Sequence, residues 1–278
     1  MQKRFVRMTP LCVRLHREYN RWYKNVLRLF WQIQGKDMPR VYMFHSVMDT
    51  AEQVYSQFAI TKQSFEQFIE HHVNNGYCAM DAEALCKAIE NPKDYKNHYC
   101  VSFDDIYDSV YTYAYPVLKK HNIPFVIFLT DALVDTIDPW SKNPMITAEH
   151  LQELLNDPLC ILASHSTEHV PYRKYNTQDA LAALRDSKKH LEEKYSKRVE
   201  LFAFPFGRRV EVSDGAIRCV KKAGYRYGFS ALDGSLGQRW LSGRYFLPRV
   251  LVGEEYVKLL LSEGMNELGN ERINDLRN

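Results

Sequence analysis

The stretch Tyr99-Cys-Val-Ser-Phe103-Asp104-Asp105 decides how this chain is read. It is an apolar run of strand length that stops abruptly on two carboxylates. The same pattern recurs along the sequence. Val41–Phe44 ends at His45, Cys160–Ala163 leads into Ser164 and His165, and Leu201–Phe204 closes on Pro205-Phe206-Gly207. Phe125–Thr130, Tyr225–Ser230 and Phe246–Val252 add three more strand-like runs. Between them, apolar residues at helical spacing predict helices over Thr61–Asn75, Tyr107–His121, Thr147–Leu155, Thr177–Tyr195, Ser213–Ala223 and Glu254–Ser262. Strand and helix alternate about seven times, which predicts an α/β fold with a parallel sheet. A doubly wound sheet and a barrel both satisfy that pattern. In either, the C-terminal strand ends share one face, and the polar residues quoted above all fall there.

The composition leaves room for such a fold. The chain has 278 residues, 45% of them hydrophobic and 26% charged. A chain of this length buries about 70–75% of its unfolded surface and needs no disulfide staples. Mean hydropathy is -0.42, and no stretch reaches the ~18–20 apolar residues of a spanning helix, which excludes a multi-pass membrane protein. The six cysteines, Cys12, Cys78, Cys86, Cys100, Cys160 and Cys219, form no C-x-x-C pair. They read as free thiols in a reducing cytosol, with a disulfide-bearing periplasmic enzyme as the alternative.

Charge divides the chain in two. Residues 1–40 hold ten Lys or Arg against two acids, a net +8, whereas the remaining residues hold 27 against 32, a net −5. A weakly acidic body does not suit nucleic-acid binding. Leu15, Tyr19, Trp22, Val26, Phe30 and Ile33 recur at a helical period, with Arg14, Arg17, Arg21, Lys24 and Arg28 on the opposite face. Residues 1–40 are therefore expected to be a basic amphipathic helical leader, and 41–278 the main domain. Arginines interrupt every apolar core a signal peptide would need, so the expected location is cytoplasmic. The leader either lies on an anionic membrane surface or packs on the main domain.

His165-Ser-Thr-Glu-His169 supplies the second chemical element. Two histidines at i and i+4 on a helical turn direct their imidazoles to one point. A carboxylate from another strand completes a His-His-Asp set that leaves open positions on a divalent metal. Asp104 and Asp105 cannot both reach it from an extended backbone, because neighbouring side chains alternate sides. One can ligate while the other serves as a base. Each motif alone is commonplace: Asp-Asp at a strand end is usually a solvated turn or helix cap, and H-x-x-x-H falls on many surface helices. Their occurrence together at successive strand ends is the informative fact.

The order Ser102-Phe-Asp104-Asp105, His165-Ser-x-x-His169, Phe202-Ala-Phe-Pro-Phe-Gly207 resembles the polysaccharide deacetylases of the NodB-homology type over about residues 40–255. Phe44-His45-Ser-Val47 resembles the branch acting on poly-N-acetylglucosamine. The resemblance implies a distorted (β/α)7 barrel and hydrolysis of acetyl groups on an N-acetylated or O-acetylated sugar or polysaccharide, in bacterial surface-glycan metabolism. It implies Asp104 as general base, Asp105, His165 and His169 as metal ligands, and the Phe206 N–H as an oxyanion donor. The ligand types suit zinc, though cobalt, nickel, manganese or iron would fit. Three departures stand out. Ile106 follows the aspartate pair where the family usually has glycine. Ala203 stands where an arginine usually orients the base, and Arg249 is the candidate replacement. The family's usual late histidine acid is missing, and His45 is the best substitute. Those departures keep a second reading open, a glycan-binding protein that retains the fold without catalysis. Trp140 and Trp240 fall in predicted loops, where they either pack or stack on sugars. The histidines at 71, 72, 98, 121, 150 and 190 read as ordinary residues without partners.

Overall fold

The computed structural model describes residues 37–54, 56–237 and 243–262. The expected leader helix and Trp240 lie outside them. Among the described residues there are ten strands: β1 (Arg40–Phe44), β2 (Ser46–Met48), β3 (Ala59–Thr61), β4 (Cys78–Ala79), β5 (His98–Asp104), β6 (Phe125–Leu129), β7 (Cys160–Ser164), β8 (Leu201–Ala203), β9 (Tyr227–Phe229) and β10 (Val250–Leu251). The main sheet runs β10-β1-β5-β6-β7-β8-β9, with β4 added beside the start of β5 and every pair parallel. A parallel bridge from Phe229 to Leu247, just before β10, brings the two ends of this order together. The curled sheet is the expected distorted α/β barrel.

Why these runs form strands follows from burial on both faces. On β5, Tyr99, Val101 and Phe103 pack into the large core under the helices, while Cys100 faces a second, smaller core inside the curl. On β6, Phe125, Ile127 and Leu129 take the outer side, with Val126 and Phe128 on the inner one. This alternation positions the site. Asp104 shares its parity with Cys100, so it faces the barrel interior. Near β10, Val250 is on the outer side and Leu247 on the inner one, so Arg249 also faces inward.

The helices start where capping residues dictate. Thr61, Thr147 and Ser213 accept hydrogen bonds from Ser64, His150 and Ala216 at the N-termini of α1 (Lys62–Asn74), α4 (Ala148–Asn156) and α6 (Asp214–Lys222). In between lie α2 (Ala82–Glu90), α3 (Tyr115–Lys120) and α5 (Thr177–Tyr195). The expected helix over 107–121 is interrupted by a π-helical turn at Val110–Ala114, the widened turn that often lies beside functional loops. A last helix spans residues 254–262. Among the described residues no helix is long and apolar enough to cross a membrane. Cys86, Cys100, Cys160 and Cys219 are buried free thiols and Cys78 is exposed.

Candidate active site and metal centre

Asp105, His165 and His169 converge, with one ligand atom of each lying within 4.8 Å of the others. His169 Nε2 is 3.0 Å and His165 Nε2 3.5 Å from Asp105 Oδ1. The expected helical turn at 165–169 is absent. These residues form an irregular loop after β7, with left-handed backbone at Ser166 (φ 71) and His169 (φ 49). That backbone turns both rings towards Asp105 where a helix would have used its spacing. Asp105 (φ 66), Ile106 (φ 61) and Phe206 (φ 61) are left-handed as well. Each such non-glycine residue costs about 1–2 kcal/mol, so five of them mark a site the fold has been made to hold. Ile106 is the most costly, being β-branched. Its burial in the core and its hydrogen bond to Asp104 O, at 2.7 Å, keep the turn that a glycine would adopt freely.

The three residues fit a metal ion on this structure's own terms. Asp105 Oδ1 is buried and accepts no hydrogen bond, although the His169 Nε2 lies 3.0 Å away. Metal–ligand bonds of about 2.05 Å at tetrahedral angles separate ligand atoms by roughly 3.3 Å, close to the 3.0 and 3.5 Å found here. The Nδ1 of His165 bonds Ala203 O at 2.9 Å. With the proton there, Nε2 keeps its lone pair for a ligand. Ala203, which lacks the expected arginine side chain, thus orients a histidine through its backbone. Burial, opposed by Asp104 and Asp105, pushes the His165 pKa down to about 4. Burial also resists ionisation of Asp105, but His169 and His165 beside it hold its pKa far below the usual carboxylate range.

Asp104 has a different environment. Arg249 donates from Nη1 to Oδ1 at 2.6 Å and from Nη2 to Oδ2 at 2.7 Å. Its Nε donates to Ser230 O at 2.9 Å, and its guanidinium lies 5.0 Å from the centre of the Phe128 ring. The pair is almost fully enclosed. Burial opposes the charge on Asp104, yet Arg249 and His165 outweigh it and keep the carboxylate ionised. Asp104 Oδ2 stands 3.9 Å from His165 Nε2, at the edge of the ligand cluster. Both carboxylates thus reach the His165 ring, because β5 ends at Asp104 and the left-handed turn at Asp105 breaks the strand alternation expected to part them; what distinguishes the two is partner, imidazoles for Asp105 and a guanidinium for Asp104.

His45 follows β1 on the same face. Its Nδ1 is buried without a partner, and its ring lies 4.9 Å from that of Phe58. Burial pushes its pKa down, against the pull of Asp104 and Asp105. The Phe206 ring, about half exposed, lies 4.8 Å from His169. Among the described residues no acceptor receives the Phe206 backbone N–H. Sequence reasoning missed Phe58, whose segment carried no motif, and Ser230, which acts through its carbonyl. It also misread several other histidines as partnerless. His72 bonds Phe68 O and the Tyr42 hydroxyl, His98 bonds Lys96 O, His150 pairs with Asp108, and His190 pairs with Asp131.

Residues 91–228 match the family model for polysaccharide deacetylase. Two curated relatives are named poly-beta-1,6-N-acetyl-D-glucosamine N-deacetylase. The one from Staphylococcus epidermidis is 25% identical over 79% of this chain and 76% of its own length. The one from Staphylococcus aureus MRSA252 is 27% identical over 60% of this chain, and the match spans 59% of that relative. Among solved structures, IcaB from Ammonifex degensii superposes with a TM-score of 0.66 at 22% identity, over 80% of this chain and 94% of that one. The Streptococcus pyogenes deacetylase PplD in complex with acetate gives 0.64 at 19%, over 80% and 97%. These likenesses establish the fold, and the family match identifies residues 91–228 as a polysaccharide deacetylase domain.

Proposed function

We propose that the protein is a metal-dependent hydrolase that removes acetyl groups from an N-acetylated sugar polymer of the poly-N-acetylglucosamine kind, in bacterial surface-glycan metabolism. The observation that carries this is the division of labour between two adjacent aspartates, Asp105 with the imidazoles and Asp104 clamped by Arg249. Asp105, His165 and His169 would hold the ion, zinc by ligand type. When bound, a divalent ion supplies Lewis acidity, polarising a carbonyl oxygen and acidifying water.

The chain's own residues supply the rest. Asp104 takes the proton of the attacking water as general base. Arg249 fixes the plane of that carboxylate and keeps it charged, while each oxygen retains a second lone pair for the water. The free N–H of Phe206 donates to the oxyanion of the tetrahedral intermediate, a role whose loss commonly costs about 10²–10³ in rate. His45, on the same face and kept neutral by burial, relays to the departing amine the proton that Asp104 has taken from the water. The presence of Arg249 against Asp104 favours this reading over a non-catalytic glycan binder, since a binder has no use for an oriented base.

The test is acetate release from a panel of acetylated glycans, N-acetyl and O-acetyl, by metal-stripped protein reloaded with zinc, cobalt, nickel, manganese or iron. Asp104→Asn should keep its metal and lose acetate release. Equal release by that variant and the wild type would refute the assignment.

A further inference from the structure

Residues Ser230-Ala231-Leu232, directly after β9, lie between Arg249 and the turn that carries Phe206. On one side the segment holds Arg249 twice. Ser230 O accepts from Arg249 Nε and Leu232 O from Arg249 N, both at 2.9 Å. On the other side Ala231 N donates to Gly207 O at 2.9 Å. The contact is close: a Cβ on Gly207 would lie 2.4 Å from Ala231 N and 3.0 Å from Ser230 C.

The Ser230 carbonyl and the Ala231 N–H belong to the same peptide group. A trans peptide is planar, and its C=O and N–H point in opposite directions. One rigid plane therefore reaches the guanidinium with its oxygen and the Phe206-Gly207 turn with its nitrogen. Turning that plane about its Cα–Cα axis weakens both bonds at once.

The Ser230 side chain is placed to stop the plane from turning. It is fully buried. Its hydroxyl donates to Leu247 O at 2.9 Å and accepts from Leu232 N at 3.2 Å. The second of these bonds closes a ring around the 230–231 peptide. The first anchors the ring to the segment leading into β10, where Ser230 N also donates to Leu247 O, at 2.8 Å. An alanine would keep the backbone bonds but lose both side-chain ones.

We propose that Ser230 is a positioning residue whose hydroxyl locks the 230–231 peptide plane, and through it aligns the Arg249 clamp on Asp104 together with the Phe206 N–H. The inference rests on the deacetylase reading and deepens it: the base and the oxyanion donor take their alignment from one shared support.

The experiment compares Ser230→Ala with the wild type as metal-loaded full chain. Acetate release should lose about tenfold to a hundredfold in kcat, the scale of a small misplacement of reacting groups, with KM and metal content unchanged. In an Arg249→Met background the further loss should be smaller, because one of the two aligned groups is already gone. A second readout does not depend on turnover: hydrogen exchange of the Arg249 Nε–H and the Ala231 N–H by nitrogen-15 NMR. Ser230→Ala should speed both about tenfold or more, while the Phe204 N–H, bonded to Phe229 O beside the segment, keeps its wild-type rate. That paired change supports the lock even if the wild type releases no acetate, which would sink the deacetylase reading alone. The lock is overturned if either exchange rate stays as in the wild type, or if all three rise alike, as general loss of stability would make them. It is overturned too if an active wild type and Ser230→Ala share the same kcat.

Discussion

Replacing Arg249 by Met tests whether the buried ion pair holds the base. The side chain is fully enclosed, donates twice to Asp104 and once to Ser230 O, and covers Phe128. Met fills much of that space but leaves the Asp104 carboxylate buried and uncompensated. Breaking one side of a buried pair costs about 3–5 kcal/mol, a large share of the roughly 5–15 kcal/mol that holds a domain folded. For a chain of this size that lowers the melting temperature by about 10 °C or more. Adding Asp104→Asn removes the orphaned charge, so the double variant should melt well above the sum of the single losses. That non-additivity is the signature of direct pairing. Arg249→Met should also cut kcat by at least about a hundredfold while the protein still binds one metal ion. Arg249→Lys, a point charge without the two-pronged geometry, should recover stability better than turnover. The reasoning fails if Arg249→Met melts within about 2 °C of the wild type and keeps half its turnover.

Other consequences are equally open to measurement. His165→Ala and His169→Ala should each lose the metal, read as metal per chain by mass spectrometry, and retention at wild-type stoichiometry would remove that residue from the ligand set. Burial pushes the His72 pKa down to about 4 from 6.5. The unfolded chain therefore takes up a proton that the folded one refuses, and stability present above pH 6.5 is lost as pH falls towards 4. At pH 5 the loss is about 2 kcal/mol. His72→Phe should flatten this part of the denaturant-stability profile between pH 7.5 and 5, and an unaltered profile would clear His72 of the effect. Gly207 has φ +58, and a Cβ there would sit 2.4 Å from the backbone nitrogen of Ala231. Gly207→Ala should destabilise by about 1–3 kcal/mol and disturb the Phe206 N–H one residue away; a wild-type melting curve would show that the loop yields.

Much of the architecture was legible because parallel strands buried on both faces read as plain apolar runs, and because Thr61, Thr147 and Ser213 announce helix starts. Thr177–Tyr195 has in the structure the bounds its spacing predicts. The site was legible as a set of residue types, since Asp105, His165 and His169 do meet. How they meet was not. The loop at 165–169 depends on left-handed backbone at Ser166 and His169, which no glycine or asparagine signals in advance. The pairing of Arg249 with Asp104 spans 145 residues of sequence, a contact no local pattern encodes; only the vacancy at Ala203 hinted at it. A hairpin at 136–145, with Trp140 exposed at its tip, was likewise hidden, because that tip is organised by the side chain of Asp138 and its root by backbone bonds to residues 106–108.

The closing strand has a bearing on how activity is lost. Asp105, His165 and His169 all precede residue 170, whereas the guanidinium that clamps Asp104 arrives with the segment that seals the curl between β9 and β1. The two halves of the site are thus carried by segments far apart in sequence, so a lesion in the closing strand should release Asp104 while leaving the Asp105, His165 and His169 cluster assembled, and the activity proposed above would be lost there before metal capture.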